Sequence, residues 1–296
     1  MAQIIVVGSG VIGQATGRAF LSMSNKVTFV DIDEERLGQL RDEGHQALHL
    51  KNMDLKGVDV VFVTVSTPTV NGRMKSDNLT SAITAIGKAL KKVLTPKNYP
   101  LVVIRSTVLP GTIDGKVIPL LEKTSGGKAG RDFGICVNPE YLREAQAGKD
   151  SAKPWITVIG ENEQKSGEIL EELYKPLGSP IHKVPIMLAE FQKYVHNLFN
   201  SAKISFFNEM RMVSEMLGVD AERAFQLVVD SAEGMWHPAY GTRNLGPFRG
   251  SCLPKDTQAF LNYAREMGIE MPLLEATIEV NKKMKSEKAK KNKPFS

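Results

Sequence analysis

The sequence predicts an α/β protein in which a parallel-sheet domain is followed by an all-helical domain with one long central helix. Short runs rich in Val and Ile alternate with helical stretches up to about residue 185, which is typical of parallel sheets. A glycine-rich turn joins the first of these runs to the first helical stretch. Residues 187–217 contain neither Gly nor Pro and repeat apolar residues at helical spacing, which indicates a single long helix.

The first domain is predicted over residues 1–185. Its strands are short, uninterrupted and β-branched, as buried strands are, and they cover residues 4–7, 27–30, 58–65, 101–104 and 156–159, with a last strand at 182–184. Helices are predicted between them at residues 13–23, 34–43, 80–93 and 164–174. Since parallel strands need crossover connections, this alternation predicts one parallel sheet with right-handed crossovers.

The second domain is predicted over residues 186–285 and contains only helices, at residues 187–217, 221–230, 257–267 and 273–285. The longest helix carries an apolar stripe that includes Phe191, Val195 and Phe206. This stripe exceeds the needs of one small domain, so we expect a homodimer in which helix 187–217 crosses its mate. Residues 286–296 are predicted to be a Lys-rich tail.

Composition and charge exclude several classes of protein. The chain is 42% hydrophobic and 24% charged, as ordinary globular proteins are. It shows neither an apolar run of the roughly 18 residues that a membrane helix needs nor a secretory signal, so we expect no membrane association and a cytoplasmic location. The net charge is +5, but residues 282–293 alone hold seven Lys and one Glu. The rest is nearly neutral, which disfavours a nucleic-acid partner.

Cysteine and histidine usage predicts no metal site. Two cysteines, Cys136 and Cys252, are too few for a disulfide framework or a zinc site, and the pair His45 and His49 lacks a recognisable metal motif. Cys136 lies in an apolar stretch and is expected in the core. Cys252 lies in a glycine-rich segment, where nearby Lys255 would favour the reactive thiolate; an inert role in the core is the alternative.

The glycine-rich turn predicts a Rossmann-type dinucleotide site. It consists of Gly8, Ser9, Gly10, Val11, Ile12 and Gly13. The first glycine permits a tight turn, the second lets the backbone approach a pyrophosphate, and the third allows close packing of helix and strand. Asp31 ends the next strand and can accept the ribose hydroxyls, so NAD is expected rather than NADP. The alternative is a structural turn.

Two more segments follow predicted strands, at the edge where open α/β sheets bind ligands. One contains Thr67 and Pro68, and the other contains Thr107. Either segment can instead be a simple turn, because Ser, Thr and Pro are common turn residues.

Four further motifs occur in order along the chain. They read Arg105-Ser-Thr-Val-Leu-Pro-Gly-Thr112, Asn138-Pro-Glu-Tyr-Leu-Arg-Glu144, Lys193-Tyr-Val-His-Asn197 with Phe206-Phe-Asn-Glu209, and Gly250-Ser-Cys-Leu-Pro-Lys-Asp256. With the glycine turn, they resemble the UDP-glucose/GDP-mannose dehydrogenase family over nearly the whole chain. The resemblance implies metal-free oxidation of the C6 hydroxymethyl of a nucleotide-linked hexose to a carboxylate, with two NAD+ consumed.

The resemblance also implies catalytic roles. Cys252 would add to the intermediate aldehyde, and water would release the acid from the resulting thioester. Lys193 and Asn197, four residues apart on one helix face, would donate to the substrate oxygen. Asp256 would orient a water or Lys for the first proton removal. The alternatives are a solvated polar face for Lys193 and Asn197 and a helix N-cap for Asp256.

Other roles are implied by the same motifs. Glu140 would act as acid and base in thioester hydrolysis, Thr107 would help to hold the water, and Glu144 would lie nearer the cofactor. The implied substrate contacts are Tyr141, Leu142, Arg143, Arg249 and Gly250.

The chain departs from the family pattern in places. Arg249 stands where a glycine is usual and would either obstruct the site or bind a phosphate. Asn244 and Leu245 replace a common Pro-Gly, and Ile156 replaces a common Arg. Family members normally continue into a third, nucleotide-binding domain, whereas this sequence stops before it. Three explanations are left open: the substrate is held differently, a separate chain supplies that domain, or activity has been lost.

Three rival functions are considered at this point. One is a β-hydroxyacid-type dehydrogenase that makes a single hydride transfer and has no need of Cys252. Another is an NAD-binding relative without turnover. The third is a nucleic-acid binder that acts through the Lys-rich tail, which is disfavoured because a single Lys cluster is usually just solvated.

Overall fold

The computed structural model describes residues 1–142, 147–231, 246–268 and 270–291. The chain forms two compact units. The first unit contains residues 1–68 and 75–193, and the second contains residues 69–74 and 194–296.

The bounds of the described elements are as follows. The strands are β1 (Gln3–Val7), β2 (Lys26–Asp31), β3 (Gln46–His49), β4 (Val60–Val63), β5 (Thr69–Val70), β6 (Arg73–Met74), β7 (Leu101–Ile104), β8 (Gly134–Val137), β9 (Thr157–Glu161) and β10 (Ile181–Pro185). The helices are α1 (Val11–Ser22), α2 (Glu34–Asp42), α3 (Asp77–Val93), α4 (Ile118–Ser125), α5 (Ala147–Ala152), α6 (Gln164–Tyr174), α7 (Ile186–Leu217), α8 (Ala221–Ser231), α9 (Leu253–Glu266) and α10 (Pro272–Lys291).

An eight-stranded sheet forms the centre of the first unit, with the strand order β10-β9-β8-β7-β4-β1-β2-β3. The predicted α/β fold with a Rossmann-type sheet is confirmed. The expectation of an entirely parallel sheet is wrong at one junction, because β8 and β9 pair antiparallel through Cys136 with Glu161 and Val137 with Gly160. Strands β3 and β8 were not predicted.

Hydrophobic side chains cover both faces of this sheet. On one face, residues of α1, α2 and α6 pack on the strands, and the Phe20 and Phe62 rings stack with centroids 5.0 Å apart. On the other face, Leu79 and Ile83 of α3, Leu121 of α4 and the start of α7 form a second core. The central strands are therefore buried on both sides, which explains their continuous apolar sequences.

The strand order places a crevice at the carboxyl ends of β1 and β4. The chain runs from β1 through β2 to β3 on one side, and then crosses to β4 on the other side of β1. Such a reversal is where open α/β sheets bind their ligands.

The second unit contains the greater part of α7, together with α8, α9 and α10. In this unit Leu261 of α9 packs against Leu274 and Ile278 of α10. The unit also includes the hairpin of β5 and β6, two strands outside the predicted set. Thr69 of this hairpin donates its hydroxyl to the Lys255 carbonyl of α9 at 3.1 Å. Among the described helices, none combines the length and apolarity required to cross a membrane.

The burial of several α7 side chains is the reverse of what the sequence pattern suggests. Phe191, Val195 and Phe206 of the apolar stripe are 51%, 44% and 53% exposed. Lys193 and Asn197 are only 5% and 6% exposed. The alternative of a solvated polar face for Lys193 and Asn197 is therefore wrong, because these two residues have polar partners in the interior.

Candidate active site

The glycine turn folds tightly between β1 and α1. Gly8 has a φ of 95°, and Thr64 at the end of β4 donates its hydroxyl to the Gly8 carbonyl at 2.5 Å. A Cβ on Gly13 would lie 1.9 Å from the Gly8 oxygen, whereas a Cβ on Gly10 would have no atom of the described chain within 4 Å. The turn is therefore closed at its first and third glycines and open at its second, as an approaching pyrophosphate requires.

The amino-terminal end of α1 is suited to hold an anion. Gly10 is the N-cap residue, no described side chain caps the helix there, and the first turn has no acidic residue. The backbone N–H groups near Val11 and Ile12 are thus available at the positive end of the helix dipole. These features fit the diphosphate of a dinucleotide.

Asp31 lies at the end of β2 and is 8% exposed. Its carboxylate accepts hydrogen bonds from the N–H groups of Ser9 at 2.5 Å, Ile32 at 2.7 Å and Asp33 at 3.1 Å. Burial alone raises the pKa of this carboxyl, but these hydrogen bonds and one from Arg36 outweigh burial and hold the pKa below its ordinary value. Asp31 is therefore ionised and fixed beside the glycine turn.

Sequence reasoning missed Arg36 as a partner of Asp31. Its Nη1 lies 3.2 Å from the Asp31 Oδ2, and its Nη2 lies 3.4 Å from Asp33 Oδ2. The signal was its place in the first turn of the helix after β2. Because Asp31 and Asp33 engage the guanidinium, Arg36 stiffens the acidic end of β2.

Thr67 and Thr107 link two loops at the edge of the sheet. Thr67 is buried, and its hydroxyl donates to the Thr107 carbonyl at 2.8 Å. Ser106 reinforces this link by donating its hydroxyl to the Val65 carbonyl at 2.6 Å. Pro68 is exposed directly after Thr67. The structure therefore brings Thr67 and Thr107 together, next to the crevice of β1 and β4.

Glu140 and Lys193 form a buried ion pair in the first unit. Lys193 Nζ lies 3.2 Å from Glu140 Oε1 and also donates to the Glu140 carbonyl. The other carboxylate oxygen accepts the Leu142 N–H at 2.6 Å. Burial raises the pKa of Glu140, but Lys193, this N–H and Arg105 more than compensate, so the pKa lies below its ordinary value.

Tyr141 completes the wall around this pair. Its ring centroid lies 5.4 Å from Lys193 Nζ, and its hydroxyl donates to Gln192 Oε1. Tyr141 and Leu142 are both half-buried. Arg143 and Glu144, expected at the substrate and the cofactor, lie outside the described residues.

In the second unit, Asp256 is fully buried and has two side-chain partners. Asn197 of α7 donates its amide to Asp256 Oδ2, and Lys255 Nζ lies 2.6 Å from Oδ1. The alternative role of Asp256 as a helix N-cap is wrong. Helix α9 begins at Leu253 with Cys252 as its N-cap, so Asp256 lies one turn inside and donates its N–H to the Cys252 carbonyl.

Cys252 itself is half-buried and not disulfide-bonded, whereas Cys136 is buried in β8. Arg249 and Gly250, just before Cys252, are exposed. Among the described residues, no group of three or more His, Cys, Asp or Glu side chains is placed to hold a metal ion.

Comparison with known proteins identifies the family. Residues 46–178 match the NAD binding domain of the UDP-glucose/GDP-mannose dehydrogenase family, and residues 187–283 match its central domain. Residues 4–74 also match the TrkA-N domain. GDP-mannose 6-dehydrogenase of Pseudomonas syringae pv. syringae is 34% identical over 94% of this chain and 68% of its own length.

This chain belongs to the UDP-glucose/GDP-mannose dehydrogenase family. UDP-glucose 6-dehydrogenase of Bacillus subtilis is 32% identical over 96% of this chain and 64% of its own length. A solved UDP-glucose dehydrogenase from Pyrobaculum islandicum superposes with a TM-score of 0.83 at 30% identity, over 95% of this chain and 68% of its own. The chain thus spans about two thirds of the length of these relatives.

Membership in the family makes this chain an NAD-dependent dehydrogenase that acts on nucleotide sugars. The glycine turn and Asp31 fit NAD, since Gly10 leaves room for the diphosphate and Asp31 is ionised at the ribose end of the turn.

Proposed function

We propose that this chain catalyses the four-electron oxidation of the C6 hydroxymethyl of a nucleotide-linked hexose to the uronate. The observation that carries the proposal is the buried polar face of α7. Lys193 is held by Glu140, and Asn197 is held by Asp256. A fixed ammonium and a fixed amide, both shielded from water, can donate to an oxygen that becomes negative during reaction.

NAD+, when bound, accepts a hydride from C6 in each of the two oxidations. In the first oxidation, Asp256 takes up the hydroxyl proton through a water or through Lys255, 2.6 Å from its carboxylate. Lys193 and Asn197 stabilise the negative oxygen. The Cys252 thiolate then adds to the aldehyde carbon and forms a carbon–sulfur bond.

The second oxidation leaves a thioester on Cys252. Water adds to the thioester carbonyl and gives a proton to the Glu140 carboxylate. The carbon–sulfur bond breaks with its electron pair on sulfur, which regenerates the Cys252 thiolate and releases the acid. Thr107 helps to place this water.

The position of Cys252 supports its role as nucleophile. As the N-cap residue of α9, it lies at the positive end of a helix dipole, where an anion such as a thiolate is favoured. Cys136 offers a contrast, since burial raises the pKa of its thiol well above the ordinary value. At neutral pH Cys136 therefore remains a protonated core residue.

The proposed substrate contacts are Tyr141, Leu142, Arg143, Arg249 and Gly250. Arg249 is exposed three residues before Cys252, and a guanidinium there can form paired hydrogen bonds with a phosphate. Because GDP-mannose and UDP-glucose 6-dehydrogenases match this chain at 34% and 32% identity, both nucleotides are candidates.

The test is a panel of UDP- and GDP-hexoses with NAD+, scored for NADH and acid. We expect two NADH per sugar from the wild type, and no acid from Cys252→Ser, which should still bind NAD. Cys136→Ser is the matched control and should release acid. Acid production by Cys252→Ser at the wild-type rate would contradict the mechanism. One NADH per sugar would favour a single-hydride dehydrogenase, and no turnover would favour an NAD-binding role.

We also propose that the protein is a homodimer formed through α7. The exposed apolar side chains of this helix include Met187, Leu188, Phe191, Val195, Phe199 and Phe206. Light scattering should report a dimer for the wild type and a monomer for Phe191→Glu. Leu227→Glu, at an equally exposed apolar site on α8, should remain dimeric. A monomeric wild type would rule out this interface.

A further inference from the structure

A buried polar network next to Glu140 has no part in the reaction proposed above. Arg105 directly follows β7 and is 8% exposed. Its Nη1 donates to Asn138 Oδ1 and to the Tyr174 hydroxyl at 3.0 Å. The Tyr174 hydroxyl in turn donates to Asn138 Oδ1 at 2.6 Å. Two side chains from separate parts of the first unit, Arg105 and Tyr174, therefore both donate to the amide oxygen of Asn138.

Asn138 is fixed by further hydrogen bonds. Its backbone N–H donates to the Ile104 carbonyl at 2.9 Å, and its side-chain amide donates to the Val158 carbonyl at 2.8 Å. Only Pro139 separates Asn138 from Glu140, and proline restricts the backbone there. The network therefore fixes the start of the segment that carries Glu140.

Arg105 also contributes charge on the Glu140 side. Both residues line a cavity of about 30 Å³, together with Tyr174. The positive charge of Arg105 is one of the influences that oppose burial and hold the pKa of Glu140 below its ordinary value. Arg105 Nε has no hydrogen-bond acceptor among the described residues, so the guanidinium is not fully used in structural contacts.

A purely structural role explains this arrangement poorly. A buried guanidinium carries a large desolvation cost, and an apolar side chain of similar volume is often at least as stabilising. The charge is therefore better accounted for by a task that needs it.

We propose that Arg105 is a positioning residue for thioester hydrolysis, which holds Glu140 through Asn138 and keeps its carboxylate ready to take the proton of the attacking water. This inference rests on the proposed role of Glu140. Arg105 itself forms no bond to the substrate in this scheme.

The experiment compares acid release and thioester accumulation in Arg105→Met, Arg105→Lys, Tyr174→Phe and Glu140→Gln. Arg105→Met should accumulate thioester and release acid about tenfold to a hundredfold more slowly. In a plot of the acid-release rate against pH, the acid limb of this variant should move to higher pH. The burst of NADH from the first oxidation should stay unchanged. Arg105→Lys should keep most of the wild-type rate of acid release, because it keeps the positive charge that Arg105→Met removes. Arg131→Met, at an exposed Arg paired with Asp132, is the matched control and should behave as the wild type.

Tyr174→Phe covers the case in which Arg105→Met fails to fold. It retains Arg105 and removes one of its partners, so it should shift the acid limb in the same direction by less. Suppose that Arg105→Met and Tyr174→Phe release acid at the wild-type rate with the wild-type pH profile, while Glu140→Gln stalls at the thioester. This result would overturn the role of Arg105 and leave the role of Glu140 standing. Wild-type acid release by Glu140→Gln would overturn both.

Carbon-13 NMR of the Glu140 carboxyl, assigned with Glu140→Gln, gives a readout that needs no turnover. Arg105→Met should make Glu140 titrate at higher pH than in the wild type. An unchanged titration would overturn the proposal even in a chain without activity.

Discussion

Replacing Lys193 with Met tests how far the stability of the first unit depends on its buried ion pair. The Lys193 and Glu140 side chains are 6% and 4% exposed. Methionine keeps much of the lysine volume and removes the charge. The variant therefore leaves Glu140 buried without its nearest counter-ion.

The expected loss follows from this burial. Removing one partner of a buried ion pair costs about 3–5 kcal/mol, because the remaining charge is uncompensated. Solvent screening, which weakens surface pairs, is slight where both side chains are this buried. We therefore expect Lys193→Met to lose about 3–5 kcal/mol of unfolding free energy. Lys175→Met is the control and should lose far less, because the Lys175–Glu172 pair is exposed.

The pH dependence of stability gives an independent readout. In the wild type, the pKa of Glu140 is below its ordinary value of 4.5 because Lys193, the Leu142 N–H and Arg105 together outweigh burial. Ionised Glu140 thus stabilises the folded chain at pH values above 4.5, and this stabilisation is lost as the pH falls through the lower native pKa. Without Lys193, burial should dominate and reverse the sign, so that stability falls as the pH rises.

Urea unfolding at several pH values, followed by circular dichroism, measures both effects. The transitions of the two units need separate analysis, because a chain with two units need not unfold in one step. The double variant Lys193→Met/Glu140→Gln should recover part of the loss, since a neutral amide needs no counter-ion. An unfolding free energy for Lys193→Met within about 0.5 kcal/mol of the wild type, or an unchanged pH dependence, would refute the reasoning.

Three further predictions concern the glycine turn and the start of α7. Gly13→Ala should destabilise the first unit by about 1–3 kcal/mol, because its Cβ would collide with the Gly8 backbone oxygen. Gly10→Ala should leave the melting temperature unchanged but weaken NAD binding, which titration calorimetry measures. Burial raises the pKa of Glu190 above 4.5, although the Gly111 and Ile113 N–H groups partly oppose it. The stability that its protonated form contributes should be lost as the pH rises through the raised pKa. Thermal melts of Glu190→Gln at several pH values should not show this loss of stability as the pH rises. An identical pH dependence of the melting temperature in the variant and the wild type would contradict the prediction for Glu190.

The strands that the sequence predicts well are those whose residues are all apolar. Residues 4–7 and 101–104 lie within β1 and β7, because central strands of a doubly covered sheet are buried on both faces. Strand β3 was missed since its sequence, Gln46 to His49, mixes polar and apolar residues at the edge of the sheet. The antiparallel junction of β8 and β9 depends on how two distant segments pair, which local pattern does not specify.

The hairpin of β5 and β6 has a local sequence signal in its turn. Asn71 and Gly72 both adopt positive φ, at 51° and 74°, and an Asn-Gly pair is a strong local indicator of a two-residue hairpin turn. Its assignment to the second unit, against α9, could not be read from sequence. That depends on contacts such as Thr69 with the Lys255 carbonyl.

The sequence motifs select candidate site residues but do not specify the partners of those residues. The motifs singled out Glu140, Lys193, Asn197 and Asp256, but no spacing rule pairs the first two or the last two. The partners lie in the loop after β8 and in the first turn of α9, and the periodicity of α7 specifies neither position. The Asp256 error has the same origin, since the sequence does not fix where α9 begins.

Helix α7 shows why periodicity identifies two faces without saying which is covered. Burying the exposed halves of Phe191 and Phe206 would contribute about 0.8–1.5 kcal/mol each. Burying Lys193 and Asn197, in contrast, brings a desolvation cost that their pairings at best offset. These four side chains alone would favour the opposite orientation, although Tyr194, Ile204 and Phe207 of the same helix are buried in the observed one. Two other demands explain the observed one: the chemistry, which needs a dry ammonium and amide, and a second copy of the chain, which would cover the apolar side chains. If the protein is monomeric, only the chemical demand remains. Exchanging the polar and apolar faces of α7 should then abolish oxidation and also lower stability, because Glu140 and Asp256 would stay buried without their partners.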